Sequence, residues 1–167
     1  NPFGITTGAA AIFGATGGVM EAALRTVSEV VNEKPLEKLD FETVRGMNGI
    51  KEAEIELGGN KVKVAVAHTL SQARKVAEDV RKGKSEYAFI EVMACPGGCI
   101  GGGGQPYGTT NATREERIRS TYQVDSEMEF RKSHENPAID QLYKEYLEKP
   151  LGHRSHKLLH THYIKRN

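Results

Sequence analysis

The residues with the most chemistry to offer are concentrated in one stretch, EVMACPGGCIGGGGQP at 91–106. It holds both cysteines of the 167-residue chain, Cys95 and Cys99, and six of its eighteen glycines. Thiolates are soft donors suited to iron-sulfur clusters, zinc or copper, and glycine lets backbone amides approach a ligand without side-chain bulk. The pattern points to a metal or cluster site, with a small disulfide loop or two inert buried thiols as the competing readings. A closed cluster or zinc site takes four protein ligands, so two cysteines cannot complete one alone.

The elements that must position these thiols are legible on either side. YAFIEVMA at 87–94 is a largely apolar strand that ends where the cysteines begin. Residues 54–57 and 61–67 alternate around GGN at 58–60, which predicts a hairpin. Thr69 with Gln72 has the spacing of a capping box, and Leu70, Ala73, Val76, Ala77 and Val80 then recur helically as far as Gly83. Residues 61–94 therefore form a strand-helix-strand unit with parallel strands. Open α/β sheets collect ligands at the carboxyl ends of such strands, which is where Cys95 and Cys99 fall.

Ahead of the hairpin, Ala9 to Phe13 reads as a short buried strand and is followed by GATGG at 14–18. Met20, Ala23, Leu24, Val27, Val30 and Val31 then predict a helix over 19–31. A strand, a glycine turn and a helix invite comparison with a dinucleotide-binding fingerprint. Met20, however, stands where the last glycine is needed, and no strand with an acidic end follows about twenty residues on. A close-packed turn is the better reading. Residues 32–48 are mixed and charged, broken by Pro35, with a short helix expected around 36–44. Phe13 and Met93 are core residues by default.

From 111 onward the texture becomes polar and helical, and a helical arm is expected to dock on something else. Thr113 with Glu116 offers a second capping box, and Asn136 followed by Pro137 is a cap with proline at the first helical position. Four of the six histidines lie at 153, 156, 160 and 162. The first three share a helix face that could hold a metal, but Arg154, Lys157, Leu158 and Leu159 intervene, so surface or docking hydrogen bonds are the better expectation.

Composition narrows the function classes. With 23 basic and 22 acidic residues the net charge is +1, which supplies no field for a nucleic-acid backbone or an anionic membrane. No apolar run approaches the ~20 residues of a membrane span, and no secretory leader opens the sequence. The chain starts at Asn1, without methionine, directly in apolar and glycine-rich sequence. Its beginning is therefore expected to be missing.

EVMACPGGCIGGGGQP closely resembles the third signature motif of the iron-iron hydrogenases, and AAAIFGATGGVMEAALRT resembles the segment that precedes it in their catalytic domain. KVAVAHTLSQARK continues the likeness. RKSHENPAIDQLYKEYLEKPLGHRSHKLLHTHY is similar to the small-subunit region of these enzymes. The resemblance implies an α/β fold with a mixed or parallel sheet and flanking helices, half of the domain that holds the active-site cluster, over residues 1–110. A small-subunit-like helical extension would cover 111–167.

The cofactor it implies is a four-iron four-sulfur cluster bridged through a cysteine to a diiron unit with carbon monoxide, cyanide and dithiolate ligands. Carried onto this sequence, Cys95 would ligate the four-iron cluster, and Cys99 would ligate it and bridge to the diiron unit. Met93 would lie beside the diiron unit, and Phe13, Gly14, Ala15 and Gly98 would line the pocket. Gln105 and Pro106 would shape the loop. The activity implied is reversible oxidation of dihydrogen to protons and electrons. The amino-terminal remainder of the same subunit and a ferredoxin or nicotinamide-linked electron carrier would be partners. A fused small-subunit region leans toward a cytoplasmic enzyme, with periplasmic members in the same family. Two earlier cysteine motifs of the family, which supply the other cluster ligands and a proton-relaying thiol, are absent from these residues. An iron-sulfur assembly or sensory relative and an interaction module are the alternatives.

Overall fold

The computed structural model describes residues 4–165. Helix α1 (Gly8–Ala11) leads through a 3-10 turn (Ile12–Gly14) into α2 (Gly18–Asn32). Strands β1 (Ile50–Leu57) and β2 (Asn60–His68) precede α3 (Leu70–Arg81), and β3 (Tyr87–Met93) closes the sheet. Helices α4 (Asn111–Glu127), α5 (Pro137–Leu142), which continues as a π-helical turn through Leu147, and α6 (His153–Leu159) make up the rest.

The three strands lie in the order β1-β2-β3, with β1 antiparallel and β3 parallel to β2. This is the mixed α/β sheet expected from the pattern. The hairpin turns on Gly58 and Gly59, both at positive φ, the geometry a two-residue connection between twisted strands requires. Central strand β2 is buried continuously from Val64 to His68. Val64 and Val66 join Met20 and Leu24 of α2 and Val44 in the main core. Alternation turns Ala65 and Ala67 the other way, and α3 packs against β2 and β3 with Val76 buried.

Several local expectations are corrected. Residues 9–13 form no strand: Thr7 caps α1 by accepting from the Ala10 amide at 3.2 Å, and the small residues of α1 pack against α4. Phe13 is no core residue, being 46% exposed. Of the helix expected over 36–44, only a 3-10 turn at Glu42–Val44 forms. Thr69 sits at the N-cap of α3 with φ of 72° and bonds the Ser71 hydroxyl instead of forming a capping box. The cap of α4 is Thr110, whose hydroxyl accepts from the Thr113 amide at 3.2 Å. Asn136 caps α5 as read, accepting from the Ala138 amide at 2.9 Å.

The helical arm docks on this same chain. Ile118 packs with Ala15 and Ile100, and Tyr122 packs on Ala9, Ile12 and Ala22. Beneath these contacts lies a buried ionic knot. Arg25 donates to both Asp125 oxygens at 2.7 and 2.8 Å, to Glu21 at 2.8 Å, and to the carbonyls of Arg131 and Leu39. Arg45 grips Glu21 and lies 4.0 Å over the Tyr122 ring. Burial alone would raise the Asp125 carboxyl, but hydrogen bonds from Arg25 and Arg131, with their charges, hold it below the usual carboxylate range.

Candidate metal centre

Strand β3 ends at Met93, and Cys95 and Cys99 follow in a tight loop whose last turn is a 3-10 helix, Cys99–Gly101. Both thiols are free, so the disulfide reading is not realised. Cys95 is half-buried and Cys99 exposed, so the inert-buried-thiol reading does not describe Cys99 either. The loop closes on itself through Gly98 N–H to the Cys95 carbonyl at 3.0 Å.

The GATGG turn lies against this loop. Gly97 accepts from the Thr16 amide at 2.9 Å. Gly98 has φ of +96°, and a Cβ there would fall 2.8 Å from the Gly14 carbonyl, the Met93 sulfur and the Thr16 nitrogen. Only glycine fits that backbone and that space. Gly14, Met93 and Gly98 are therefore gathered at one point. Ala15 is buried beneath them against Ile100, while Phe13 stands at the exposed edge.

A second layer holds the two segments together, and two of its residues carried no role in the sequence reading. Glu91, buried in β3, accepts from the Gly17 amide at 2.7 Å through one oxygen and from the Met20 amide at 2.7 Å through the other. It thus occupies the amino end of α2, where free N–H groups and the helix dipole favour a carboxylate. The Met20 position, which lacks the fingerprint glycine, contributes a backbone donor instead. Lys51 of β1 reaches the Gly46 carbonyl at 2.8 Å and the Thr16 carbonyl and hydroxyl at 3.2 and 3.3 Å. Apart from Gly46, their partners are distant in sequence, so periodicity carries no trace of them. A charged residue in a strand face that must be buried was the available signal.

Burial pushes the Lys51 ammonium down to about 8 from 10.5, with the Glu91 charge pulling the other way. A lysine with a lower pKa folded than unfolded binds fewer protons in the native state between those values. Stability then rises with pH across that window. Relative to Lys51→Met, the wild-type unfolding free energy is expected to climb by roughly 3 kcal/mol at most between pH ~8 and ~10.5. A flat difference in denaturant titrations across that interval would contradict this.

Fit to a soft metal group can be judged from the donor set. Two unpaired thiols flank a backbone cradle with no side-chain bulk, and a Cβ at Gly102 would lie 3.0 Å from the Cys95 sulfur. Thiolates beside a thioether and apolar walls suit iron-sulfur chemistry. Among the described residues no three His, Cys, Asp or Glu side chains are grouped to hold a metal by themselves. That holds for the tail histidines as well, where His156 stacks on His160 with centroids 4.3 Å apart. A concavity lined by Glu52, Lys63, Asp79 and Glu86 lies by Tyr87, at the opposite end of β3 from the cysteines.

Residues 1–103 match the family described as iron only hydrogenase large subunit, C-terminal domain. The chain belongs to the iron-only hydrogenase family. Residues 111–166 match the family described as iron hydrogenase small subunit. It is 53% identical over 166 residues to the NADP-reducing hydrogenase subunit HndD of Solidesulfovibrio fructosivorans, covering 99% of this chain and 28% of that protein. The solved structure of a variant of the FeFe-hydrogenase HydA1 from Chlamydomonas reinhardtii superposes with a TM-score of 0.73 at 41% identity, covering 98% of this chain and 48% of the other. A Drosophila erecta protein named a probable cytosolic Fe-S cluster assembly factor is 31% identical over 151 residues, covering 89% of this chain and 31% of its own length. The chain thus spans less than half the length of each of these proteins. No helix among the described residues is long and apolar enough to cross a membrane.

Proposed function

We propose that this chain forms the carboxyl-terminal half of the cluster site in an iron-iron hydrogenase subunit that interconverts dihydrogen with two protons and two electrons. The observation that carries the reading is the convergence of Met93, Gly98 and the GATGG turn beside two free thiols, one of them exposed. Cys95 and Cys99 would hold a four-iron cluster joined to a diiron unit with carbon monoxide, cyanide and dithiolate ligands, and that group supplies the redox chemistry. The protein's part is to bind it and control its surroundings. The thiolates would anchor it, with Cys99 the ligand shared by its two parts. The Met93 thioether, Phe13 and Ala15 provide apolar walls that exclude water, and Gly14 and Gly98 allow close approach of backbone.

The remaining cluster ligands and the proton path would come from amino-terminal sequence of the same subunit. Likeness to a subunit named for NADP reduction supports a nicotinamide-linked electron partner, with ferredoxin as the other candidate. The likeness to an assembly factor favours a second reading, a non-enzymatic iron-sulfur protein on the same scaffold. Infrared spectroscopy of the full-length, matured protein separates the two. The hydrogenase reading requires bands from metal-bound carbon monoxide and cyanide, and an iron-sulfur protein without them would overturn it.

A further inference from the structure

His68 ends β2, directly across from Met93 in the parallel register, and is 4% exposed. Its Nδ1 accepts from the Gly97 amide at 3.1 Å. A nitrogen that accepts an N–H carries no proton, so the ring proton is on Nε2, which faces the Met47 carbonyl at 3.0 Å and donates to it. Gly97 lies between the two cysteines. Its carbonyl is held by Thr16, and its φ of +78° fixes the chain direction at that point.

We propose that His68 is a positioning residue for the CPGGC loop, fixing the Gly97 peptide between the two thiols and tying it to the segment at Met47. The ring's two nitrogens face opposite ways, which lets one side chain satisfy an amide in one segment and a carbonyl in another. An apolar residue in its place would leave the buried Gly97 amide and the half-buried Met47 carbonyl without these partners, and the cysteine loop would lose the bond that sets its entry angle. The consequence for metal retention rests on the function proposed above, whereas the clamp itself rests on the hydrogen bonds.

The test uses the full-length protein with His68→Asn and His68→Gln. The asparagine Oδ1 takes the place of Nδ1 and keeps the acceptor for Gly97, while the glutamine amide takes the place of Nε2 and keeps only the donor to Met47. Amide exchange at Gly97 is expected to stay within about twofold of wild type in H68N and to quicken about tenfold or more in H68Q. In iron-loaded protein, iron release to a chelator should follow the same order. Equal exchange at Gly97 in all three proteins would overturn the proposal. So would acceleration in H68Q spread evenly over β2 and β3, or iron release that ignores the ordering. A wild type that takes up no iron would contradict the proposed function, and exchange at Gly97 would still decide the role of His68.

Discussion

Asp125→Ala is expected to destabilise the protein by about 3–5 kcal/mol, the range for removing one partner of a fully buried ion pair. Both side chains of the Arg25–Asp125 pair have no solvent exposure. The pair joins α2 to α4, so its loss acts where the arm docks on the sheet domain. The guanidinium of Arg25 would keep Glu21 at 2.8 Å, but two of its N–H groups and one from Arg131 would lose their acceptor. Asp125→Asn, which retains acceptor capacity and shape, should cost distinctly less. Chemical denaturation of the cluster-free protein measures both, and equal stability of Asp125→Ala and wild type would show that the knot contributes nothing.

The same knot sets an acid limit. The Asp125 and Asp40 carboxyls of the knot lie below their ordinary values because hydrogen bonds from arginines outweigh burial, and outside the knot Glu29 is lowered by the Leu36 amide first and by Lys132 next. Carboxylates with depressed pKa values contribute stability that is fully present above the unfolded values of 3.8 and 4.5 and is lost as pH falls through the folded ones. The stability gap between wild type and Asp125→Ala should therefore narrow below pH ~4.

Glu91→Ala is the second large effect, about 2–6 kcal/mol, because it strands two buried amides and each unsatisfied donor costs roughly 1–3 kcal/mol. It also removes the anion from the amino end of α2 and the negative charge facing Lys51. Glu91→Gln keeps one acceptor and should lose about half as much. Because the carboxylate joins the GATGG turn to the strand that delivers the cysteines, hydrogen exchange should quicken at Gly17 and Met20 ahead of β2. A Glu91→Ala protein within about 0.5 kcal/mol of wild type, the ordinary range for surface changes, would contradict this role.

What could be read beforehand follows from how local each determinant is. The hairpin was legible because its turn residues, Gly58 and Gly59, sit between two alternating runs. Helix α2 was legible from its apolar spacing, and the thiol pair from residue type alone. The run at 9–13 was misread because a short apolar stretch cannot be told from a strand by periodicity, and its helical state depends on Thr7 and on packing against α4. Asp125 and Arg25 lie 100 positions apart, and Glu91 lies 74 and 71 positions from the amides it receives. Such pairings exist only once the chain has folded, so no motif announces them. Cys95 and Cys99 could be singled out by residue type, whereas the residues that hold their loop could not.

The most direct test is the infrared spectrum of the full-length, matured protein compared between wild type and Cys99→Ser. If Cys99 bridges the two parts of the cluster, wild type shows bands from metal-bound carbon monoxide and cyanide, and Cys99→Ser lacks them. Bands of wild-type intensity in the Cys99→Ser protein would contradict the assignment of this loop.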